Sequence, residues 1–171
     1  GLVIKKLNLG GGFGIRYTMN DDPVPYDEYI KHVSETVRKM AELRGLEVPV
    51  ISMEPGRSIS APAGLTLYTV GSVKDIKNVR KYVSVDGGMS DNPRYTLYEA
   101  EYTAVVANKA NKPQDDKVTI AGKCCESGDL LIKDTMLQKA ESGDILAVLA
   151  TGAYNYSMSS NYNRIPRPAM V

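Results

Sequence analysis

The first part of the fold is decided by the stretch Leu2-Val3-Ile4-Lys5-Lys6-Leu7-Asn8-Leu9-Gly10-Gly11-Gly12-Phe13-Gly14. Its apolar and β-branched residues predict a buried strand over residues 2–9 that stops at a glycine turn. Glycine allows backbone N–H groups to approach an anion closely, because no Cβ stands in the way. A tight strand-to-loop connection without a ligand is the simpler interpretation of the same residues.

A helix and a second strand follow this turn. Apolar residues recur at steps of three and four, which predicts an amphipathic helix over residues 27–44 that Asp27 caps and Gly45 ends. The apolar face comprises Ile30, Val33, Val37 and Met40. Residues 48–53 form a second predicted buried strand. The order strand, helix, strand predicts a βαβ unit, in which the two strands are parallel.

The second strand ends at Glu54-Pro55-Gly56-Arg57, at the same edge of the predicted sheet as the glycine turn. Ligands of α/β folds bind at the carboxyl ends of parallel strands. Gly56 and Arg57 open a short predicted helix over residues 58–64, whose free N–H groups and nearby guanidinium suit a phosphate. A surface ion pair between Glu54 and Arg57 is the alternative. Two anion-binding loops with one acid favour a phosphorylated cofactor.

The spacing of the apolar residues changes near residue 66. Six short apolar runs recur with turn residues between them: Leu65–Val73, Tyr82–Val85, Tyr102–Val106, Val118–Ala121, Leu130–Ile132 and Ile145–Ala150. Strict helical periodicity is missing, so this pattern predicts a mainly antiparallel β domain. We therefore place a domain boundary between residues 65 and 66.

Composition excludes several classes of partner. The 171 residues carry 21 Lys and Arg against 20 Asp and Glu, a net charge of +1, so no basic field for nucleic acid is present. No apolar run approaches the roughly 18 to 20 residues of a membrane span. Adjacent Cys124 and Cys125 disfavour a disulfide between them and predict a cytoplasmic setting. They also make a poor metal site, and His32, the only histidine, lies on the polar face of the predicted helix.

Three stretches of the predicted β domain are rich in reactive side chains. They are Asp86-Gly87-Gly88-Met89-Ser90-Asp91-Asn92-Pro93-Arg94, Gly122-Lys123-Cys124-Cys125-Glu126-Ser127-Gly128-Asp129, and residues 152–163 from Gly152-Ala153-Tyr154 to Asn163. Taken singly, the first two are explained by hairpin turns and the third by the polarity of an edge strand. Taken together, they contain more reactive groups than solvated turns need.

The motifs GGGFG, EPGR, DGGMSDNPR, CES and GAY-x-YSMSSNYN-x-x-x-RP resemble, in this order and over essentially the whole chain, those of the diaminopimelate decarboxylase family. These pyridoxal-phosphate decarboxylases have the alanine-racemase type of fold (fold type III). The resemblance implies an α/β plus all-β protein: residues 1–65 are the C-terminal part of a cofactor-binding (β/α)8 barrel, and residues 66–171 are a β-barrel or β-sandwich domain without its last strand. It implies a fragment that lacks the Schiff-base lysine and is inactive alone.

The resemblance also assigns residues to the cofactor, pyridoxal 5'-phosphate. Gly10, Gly11 and Gly12 resemble the loop that holds the phosphate through backbone amides, and Gly56 and Arg57 resemble a second phosphate-side element. Glu54 resembles the acid that faces the pyridine nitrogen, and Tyr154 the tyrosine that closes over the phosphate. A carboxylate at Glu54 makes chemical sense, because an opposite charge keeps the nitrogen protonated and the ring then accepts electrons.

The remaining roles concern the substrate. Arg94 and Tyr98 resemble the clamp for its distal end, whereas Arg57 and Tyr154 also contact it. Cys125 and Glu126 resemble the pair that a second subunit inserts, which implies a homodimer with a shared active site. The Cys125 thiol is suited to deliver a proton to the reacting carbon. The Arg94 guanidinium suits a carboxylate, and Glu126 suits an ammonium group.

The implied reaction is the decarboxylation of meso-2,6-diaminopimelate to L-lysine, the last step of lysine biosynthesis. One alternative keeps the cofactor chemistry but changes the substrate to ornithine, arginine or carboxynorspermidine. Arg94 speaks against it, because an amine-only substrate has no distal carboxylate. The other alternative is a catalytically silent regulatory homologue that retains the dimer surface.

Overall fold

The chain folds into two units, in agreement with the change in its apolar pattern. In the computed structural model, which describes residues 3–171, one unit extends to Ile59 and the other runs from Ser60 to Val171. The domain boundary between residues 65 and 66 stays a prediction.

The first unit contains the predicted strand–helix–strand order. Its elements are β1 (Lys6–Asn8), α1 (Tyr26–Leu43) and β2 (Val50–Ser52), followed by the short helix α2 (Arg57–Ser60) that leads into the second unit. Strands β1 and β2 pair in parallel, with Leu7 opposite Ile51. The parallel βαβ unit is therefore confirmed.

Both strands are shorter and more exposed than the sequence predicts. The strand predicted over residues 2–9 is only Lys6–Asn8, and Leu2 lies outside the described residues. The strand predicted over residues 48–53 is Val50–Ser52. Leu7 is half-buried and Val50 is exposed, so the prediction of buried strands is wrong. The reason is that each strand has a single partner strand, whereas an apolar run is buried only where neighbouring layers cover it.

Helix α1 begins one residue earlier than predicted, at Tyr26, and ends one residue earlier, at Leu43. Pro25 is its N-cap and no side chain caps it, so the assignment of Asp27 as the cap is wrong. Pro25 itself lies outside the helix, because its φ of −58° is combined with an extended ψ of 148°, and the helical backbone starts at Tyr26. Asp27 lies in the first turn, where a negative charge favours the helix dipole. Gly45 follows the last turn with φ +61°, a conformation that glycine adopts without strain.

The apolar face of α1 is largely uncovered. Ala41 is its one buried residue, whereas Ile30 and Met40 are exposed. The Phe13 ring, which follows the glycine turn, contacts the rings of Tyr26 and Tyr29 with centroids 5.0 Å apart in each pair. His32 is exposed, as predicted. No helix within residues 3–171 combines the length and apolar character needed to cross a membrane.

The second unit is built on one six-stranded sheet, and every predicted apolar run contributes a strand. The strands are β3 (Leu65–Ile76), β4 (Arg80–Val85), β5 (Ala104–Val106), β6 (Asp116–Ala121), β7 (Leu130–Leu137) and β8 (Ile145–Leu149). A 3-10 turn, Ala61–Ala63, follows α2, so these two pieces cover most of the helix predicted over residues 58–64. The two other helices are α3 (Arg94–Tyr98) and α4 (Asn155–Met158).

The sheet is mainly antiparallel and nearly closed. Its order is β5-β8-β3-β4-β6-β7, and β4 with β6 is the parallel pair of this order. Past the end of β7, the Gln138 Oε1 accepts a hydrogen bond from the Val106 N–H of β5 at 2.9 Å, which links the two end strands. The predicted β-barrel is therefore confirmed as a mixed sheet that curls on itself.

The core of this unit is formed by apolar residues of all six strands. The fully buried apolar side chains include Val70, Val83, Val106, Val118, Ile120, Leu131, Leu137, Leu146 and Val148. Burial alternates along β4 and β5, whereas three successive residues are buried in β6 and in β8. Burial of such a side chain contributes about 1.5–3 kcal/mol, so these residues stabilise the sheet.

Polar side chains hold the turn that precedes β8. Lys109 Nζ donates to Asp144 Oδ2 at 2.7 Å, and Asn108 Nδ2 donates to Asp144 Oδ1 at 2.7 Å. Burial raises the pKa of Asp144, but the hydrogen bonds from Lys109, Asn108 and the Glu141 N–H outweigh it. The pKa of Asp144 is therefore lower than its ordinary value of 3.8.

We expect Asp144→Asn to lower the free energy of unfolding at neutral pH by about 1–3 kcal/mol, because a buried hydrogen-bonded charge is lost. Since the folded pKa lies below the unfolded one, the contribution of the carboxylate is present above the ordinary aspartate pKa and is lost as the pH falls through the folded value. The free energies of unfolding of the variant and the unmodified protein, measured with urea, should therefore differ at neutral pH and become equal in acid. Exposed Asp115→Asn is the matched control, and an equal effect there contradicts this account.

Candidate functional site

The glycine turn after β1 requires glycine at each of its three positions. Gly10 and Gly12 have φ values of +71° and +87°, which L side chains rarely adopt. Glycine is required at position 11 for a different reason, because a Cβ there would lie 2.5 Å from the carbonyl oxygen of Glu54. The loops that follow β1 and β2 are therefore in direct contact.

Hydrogen bonds fix Glu54 against this turn. The Glu54 N–H donates to the Gly10 carbonyl at 2.8 Å, and Asn8 Nδ2 donates to Glu54 Oε1 at 2.6 Å. Asn8 Oδ1 accepts from the Gly10 N–H at 2.8 Å. The meeting of the two loops follows from the parallel pairing. The role of Asn8 was missed, because its one sequence signal is a polar residue at the end of β1.

Gly56 and Arg57 lie at the start of α2, as predicted. Helix α2 begins at Arg57, which is half-buried, and Gly56 is exposed just before it. The Tyr26 hydroxyl donates to Ser58 Oγ, so α1 is tied to the same helix. Within the first unit, the structure thus brings the glycine turn together with Glu54, and α2 follows directly on the Glu54 loop.

The loop of residues 86–93 (the 86–93 loop) leads from β4 into α3 and is not the hairpin turn of the simpler interpretation. A Cβ at Gly87 would overlap the Tyr68 ring. Asp91 Oδ1 accepts from the Gly88 N–H at 2.8 Å, and Asp91 Oδ2 accepts from the Tyr68 hydroxyl at 2.5 Å. Burial raises the pKa of Asp91. The glycines of this loop therefore serve internal contacts.

Arg94 is the first residue of α3 and is buried, with 8% of its surface exposed. Its guanidinium carbon lies 5.4 Å from the ring centroid of Tyr154 and 6.0 Å from that of Tyr98. Both distances are in the range of cation–π attraction, which orients the guanidinium. Tyr154, which is distant in sequence, is thus brought together with Arg94 and Tyr98 of α3, while both tyrosine rings remain partly exposed.

Tyr154 is held by an unusual backbone conformation. Its φ of +71° and ψ of −45°, together with a hydrogen bond from the Asn155 N–H to the Ala153 carbonyl at 3.0 Å, form a γ-turn of the rare, strained kind. Such a conformation costs on the order of 1–3 kcal/mol and is found mainly at functional sites. The turn directs the Tyr154 ring towards Arg94.

The loop of residues 122–129 (the 122–129 loop) connects β6 to β7, and it is a hairpin connection as expected. Cys124 is buried, which raises the pKa of its thiol, whereas Cys125 is exposed. The Cys125 N–H donates to Asn163 Oδ1 at 2.5 Å, and the Tyr162 hydroxyl donates to Glu126 Oε2 at 3.4 Å. Residues near 162 therefore fix the exposed pair Cys125 and Glu126.

The two units offer different chemistry. The first presents a glycine turn and a carboxylate, and the second presents an oriented guanidinium, an exposed thiol and an exposed carboxylate. Within residues 3–171, no cluster of three or more His, Cys, Asp and Glu side chains is arranged to hold a metal ion. Each role assigned from the resemblance stays a prediction.

Comparisons with known proteins identify relatives over nearly the whole chain. A family model described as the C-terminal sheet domain of pyridoxal-dependent decarboxylases matches residues 17–152. Diaminopimelate decarboxylase of Bacillus methanolicus is 60% identical over 167 residues, which are 98% of this chain and 39% of that protein. The enzyme of the same name from Bacillus subtilis (strain 168) is 57% identical over 99% of this chain and 38% of its own length.

A solved structure gives the same result. The crystal structure of diaminopimelate decarboxylase from M. jannaschii in co-complex with L-lysine matches with a TM-score of 0.86 and 38% identity, over 96% of this chain and 37% of that one. The chain thus spans about two fifths of the length of the relatives it matches. The α/β plus all-β fold class with the alanine-racemase type of fold is confirmed. The chain belongs to the pyridoxal-dependent decarboxylases, of which residues 17–152 match the C-terminal sheet domain.

Proposed function

We propose that the natural protein carrying this sequence decarboxylates meso-2,6-diaminopimelate to L-lysine with pyridoxal 5'-phosphate, as a cytoplasmic homodimer. The observation that carries this proposal is Arg94, a buried guanidinium that the exposed rings of Tyr98 and Tyr154 orient. A substrate with a second amino-acid group at its far end supplies the carboxylate for such a guanidinium. Ornithine and arginine carry no distal carboxylate.

The first unit fits the cofactor. The glycine turn exposes backbone without side chains, and the lack of a Cβ at Gly11 lets the turn lie directly against the Glu54 loop. Gly10, Gly11 and Gly12 would hold the phosphate together with Gly56 and Arg57, and the resemblance assigns Tyr154 to the phosphate as well. Glu54 would face the pyridine nitrogen. When bound, the cofactor supplies an electron sink for the carbon that loses carbon dioxide.

The remaining steps belong to side chains of this protein. Arg94 and Tyr98 bind and orient the distal carboxylate, and Glu126 binds the distal ammonium group. Arg57 and Tyr154 hold the reacting end. The carbon that releases carbon dioxide takes up one proton, which the exposed Cys125 thiol delivers as a general acid. In the homodimer, Cys125 and Glu126 come from the other subunit.

Three observations support the proposal: the names of two relatives, the ligand in a related structure, and the state of the cysteines. The Bacillus methanolicus and Bacillus subtilis relatives are diaminopimelate decarboxylases, and the M. jannaschii structure of that name contains L-lysine. Cys124 and Cys125 are free thiols, which agrees with a cytoplasmic location. Turnover of diaminopimelate, ornithine and arginine by the natural protein tests the substrate directly. Lysine formation from diaminopimelate is the expected result, and preference for either other amino acid refutes the proposal.

We expect Arg94→Ala to raise the KM for diaminopimelate by about 10- to 100-fold, because the charged hydrogen bonds to the distal carboxylate are lost. The absorbance of bound cofactor should not change, because Arg94 serves the substrate. Arg94→Lys keeps the charge but not the paired hydrogen bonds. Its KM should therefore lie between that of the unmodified protein and that of Arg94→Ala. Loss of cofactor from Arg94→Ala contradicts the assigned role.

The shared active site predicts complementation between inactive variants. Glu54→Gln and Cys125→Ala affect residues that different subunits contribute to one site, so a mixed dimer contains one intact site. Random exchange of equal amounts should restore about a quarter of the unmodified activity. Activity that stays at the level of the separate variants shows that each subunit works alone.

A further inference from the structure

The carboxylate of Asp129 joins two loops that are far apart in sequence. Its Oδ1 accepts a hydrogen bond from the Met89 N–H at 2.5 Å, and its Oδ2 accepts one from the Cys124 N–H at 2.6 Å. Met89 lies in the 86–93 loop, which leads to Arg94, and Cys124 lies in the 122–129 loop beside Cys125. Asp129 is only 4% exposed, so one buried side chain fixes one loop against the other.

Two glycines make room for this carboxylate. A Cβ at Gly88 would lie 2.6 Å from Asp129 Oδ1, and a Cβ at Gly122 would overlap Oδ2. The Gly122 N–H also donates to the Asp129 carbonyl at 2.9 Å, and the Lys123 N–H donates to the Gly87 carbonyl at 2.9 Å. Glycine at positions 88 and 122 is thus explained by the close approach of Asp129.

Only a carboxylate of this size satisfies both loops. Two backbone N–H groups point at Asp129, and each needs an acceptor oxygen. An asparagine offers one oxygen and places an NH2 donor against the other N–H. A glutamate is longer, and Gly88 and Gly122 leave no space for another methylene. Within residues 3–171, Asp129 forms no ion pair that would explain its burial instead.

We propose that Asp129 is a positioning residue for the decarboxylation: without touching the substrate, it fixes the loop that leads to Arg94 in the site of its own subunit and the Cys125–Glu126 pair that its subunit contributes to the other site. The proposal rests on the proposed function. It explains the burial of an acid that stands two positions after the CES motif and has no assigned contact with the cofactor or the substrate. Both loops keep their own hydrogen bonds, so loss of the carboxylate displaces them without unfolding the sheet.

The test is Asp129→Asn in the natural protein with its cofactor. We expect kcat per bound cofactor to fall about tenfold or more and the KM for diaminopimelate to rise, since one charged hydrogen bond is replaced by two opposed donors. Alkylation of the buried Cys124 by iodoacetamide should accelerate about tenfold or more, because its loop is no longer held. Fragment-ion mass spectrometry must read it, since the adjacent exposed Cys125 lies on the same peptide. A merely structural role lowers the yield of folded protein but leaves both constants per bound cofactor unchanged.

Thr96→Val is the matched control. It removes the hydrogen bond from Thr96 Oγ1 to the Gly128 carbonyl at 3.1 Å, an exposed link between α3 and the same loop. Its kinetic constants and Cys124 alkylation should stay near those of the unmodified protein. Unchanged constants and unchanged alkylation in an active Asp129→Asn protein overturn the positioning role alone, whereas absence of decarboxylation by the unmodified protein overturns the proposed function and this inference with it.

If Asp129→Asn does not fold, hydrogen exchange of the unmodified protein tests the positioning role of Asp129 instead. In the unmodified protein, the Met89 and Cys124 amides should be protected and should open with the same free energy, because one carboxylate holds both. Exchange of the Met89 amide at the rate of an open loop overturns the proposal.

Discussion

We expect Glu54→Gln in the natural protein to retain pyridoxal phosphate but to slow decarboxylation about 100-fold or more, the size of effect seen when a charge-stabilising group is removed. A carboxylate keeps the pyridine nitrogen protonated, which a neutral amide does not do. Glutamine has the same shape and keeps an Oε1 for the hydrogen bond from Asn8, so the two loops should stay in contact. Absorbance of the bound cofactor and single-turnover rates measure the two effects separately.

Glu47→Gln is the control for this experiment, because Glu47 is an exposed acid in the connection before β2. Its turnover should equal that of the unmodified protein. Near-normal turnover by Glu54→Gln refutes the electronic role of Glu54. Loss of the cofactor shows instead that Glu54 acts in binding.

The largest loss of stability should come from Gly152→Ala. A Cβ at this position would overlap the carbonyl oxygen of Ser60 and lie 2.9 Å from the Gly64 nitrogen. Both neighbours are backbone atoms, so no side chain can rotate away. The Gly152 N–H also donates to the Ala61 carbonyl at 3.1 Å, and this bond holds the segment that follows β8 against the turn before β3. We expect the free energy of unfolding to fall by about 3 kcal/mol or more.

Gly128→Ala provides the comparison for that measurement. A Cβ there meets only the Thr96 methyl at 3.9 Å, an ordinary contact, and Gly128 has no positive φ. Urea unfolding followed by circular dichroism should place Gly128→Ala near the unmodified protein. Equal midpoints for the two variants contradict the steric explanation.

The strands of the second unit were predictable because each is a short apolar run bounded by turn residues, and in β4 the burial also alternates. Val83 and Val85 of β4 are buried while Ser84 between them is partly exposed, and such alternation is visible in the sequence. The sequence was less informative for the first unit. Apolar residues such as Val50 and Ile30 predict burial, but whether they are buried depends on neighbouring layers that the local pattern does not contain.

The candidate site was also predictable only in part from the sequence. The loops after β1 and β2 were placed at one edge by the parallel pairing alone, and the structure brings Gly11 and Glu54 into contact. The roles of Arg94, Cys125 and Tyr154 came from the resemblance, since nothing in their spacing specifies them. Asn8 and Asp129 were missed because their partners, Glu54 and Met89, lie 46 and 40 positions away.

The single parallel pair of the barrel, β4 with β6, has a consequence for how such proteins change substrate. A chain cannot join parallel neighbours by a tight turn, so it must cross from one end of the strands to the other. Residues 86–115 make this crossing, and Arg94 lies on it. The part of the crossing that forms β5 (Ala104–Val106) pairs with β8, whereas exposed positions of α3 can be substituted without changing the pairing of the strands. Under the proposed roles of Arg94 and Tyr98, evolution can therefore alter substrate recognition in α3 while the barrel is conserved.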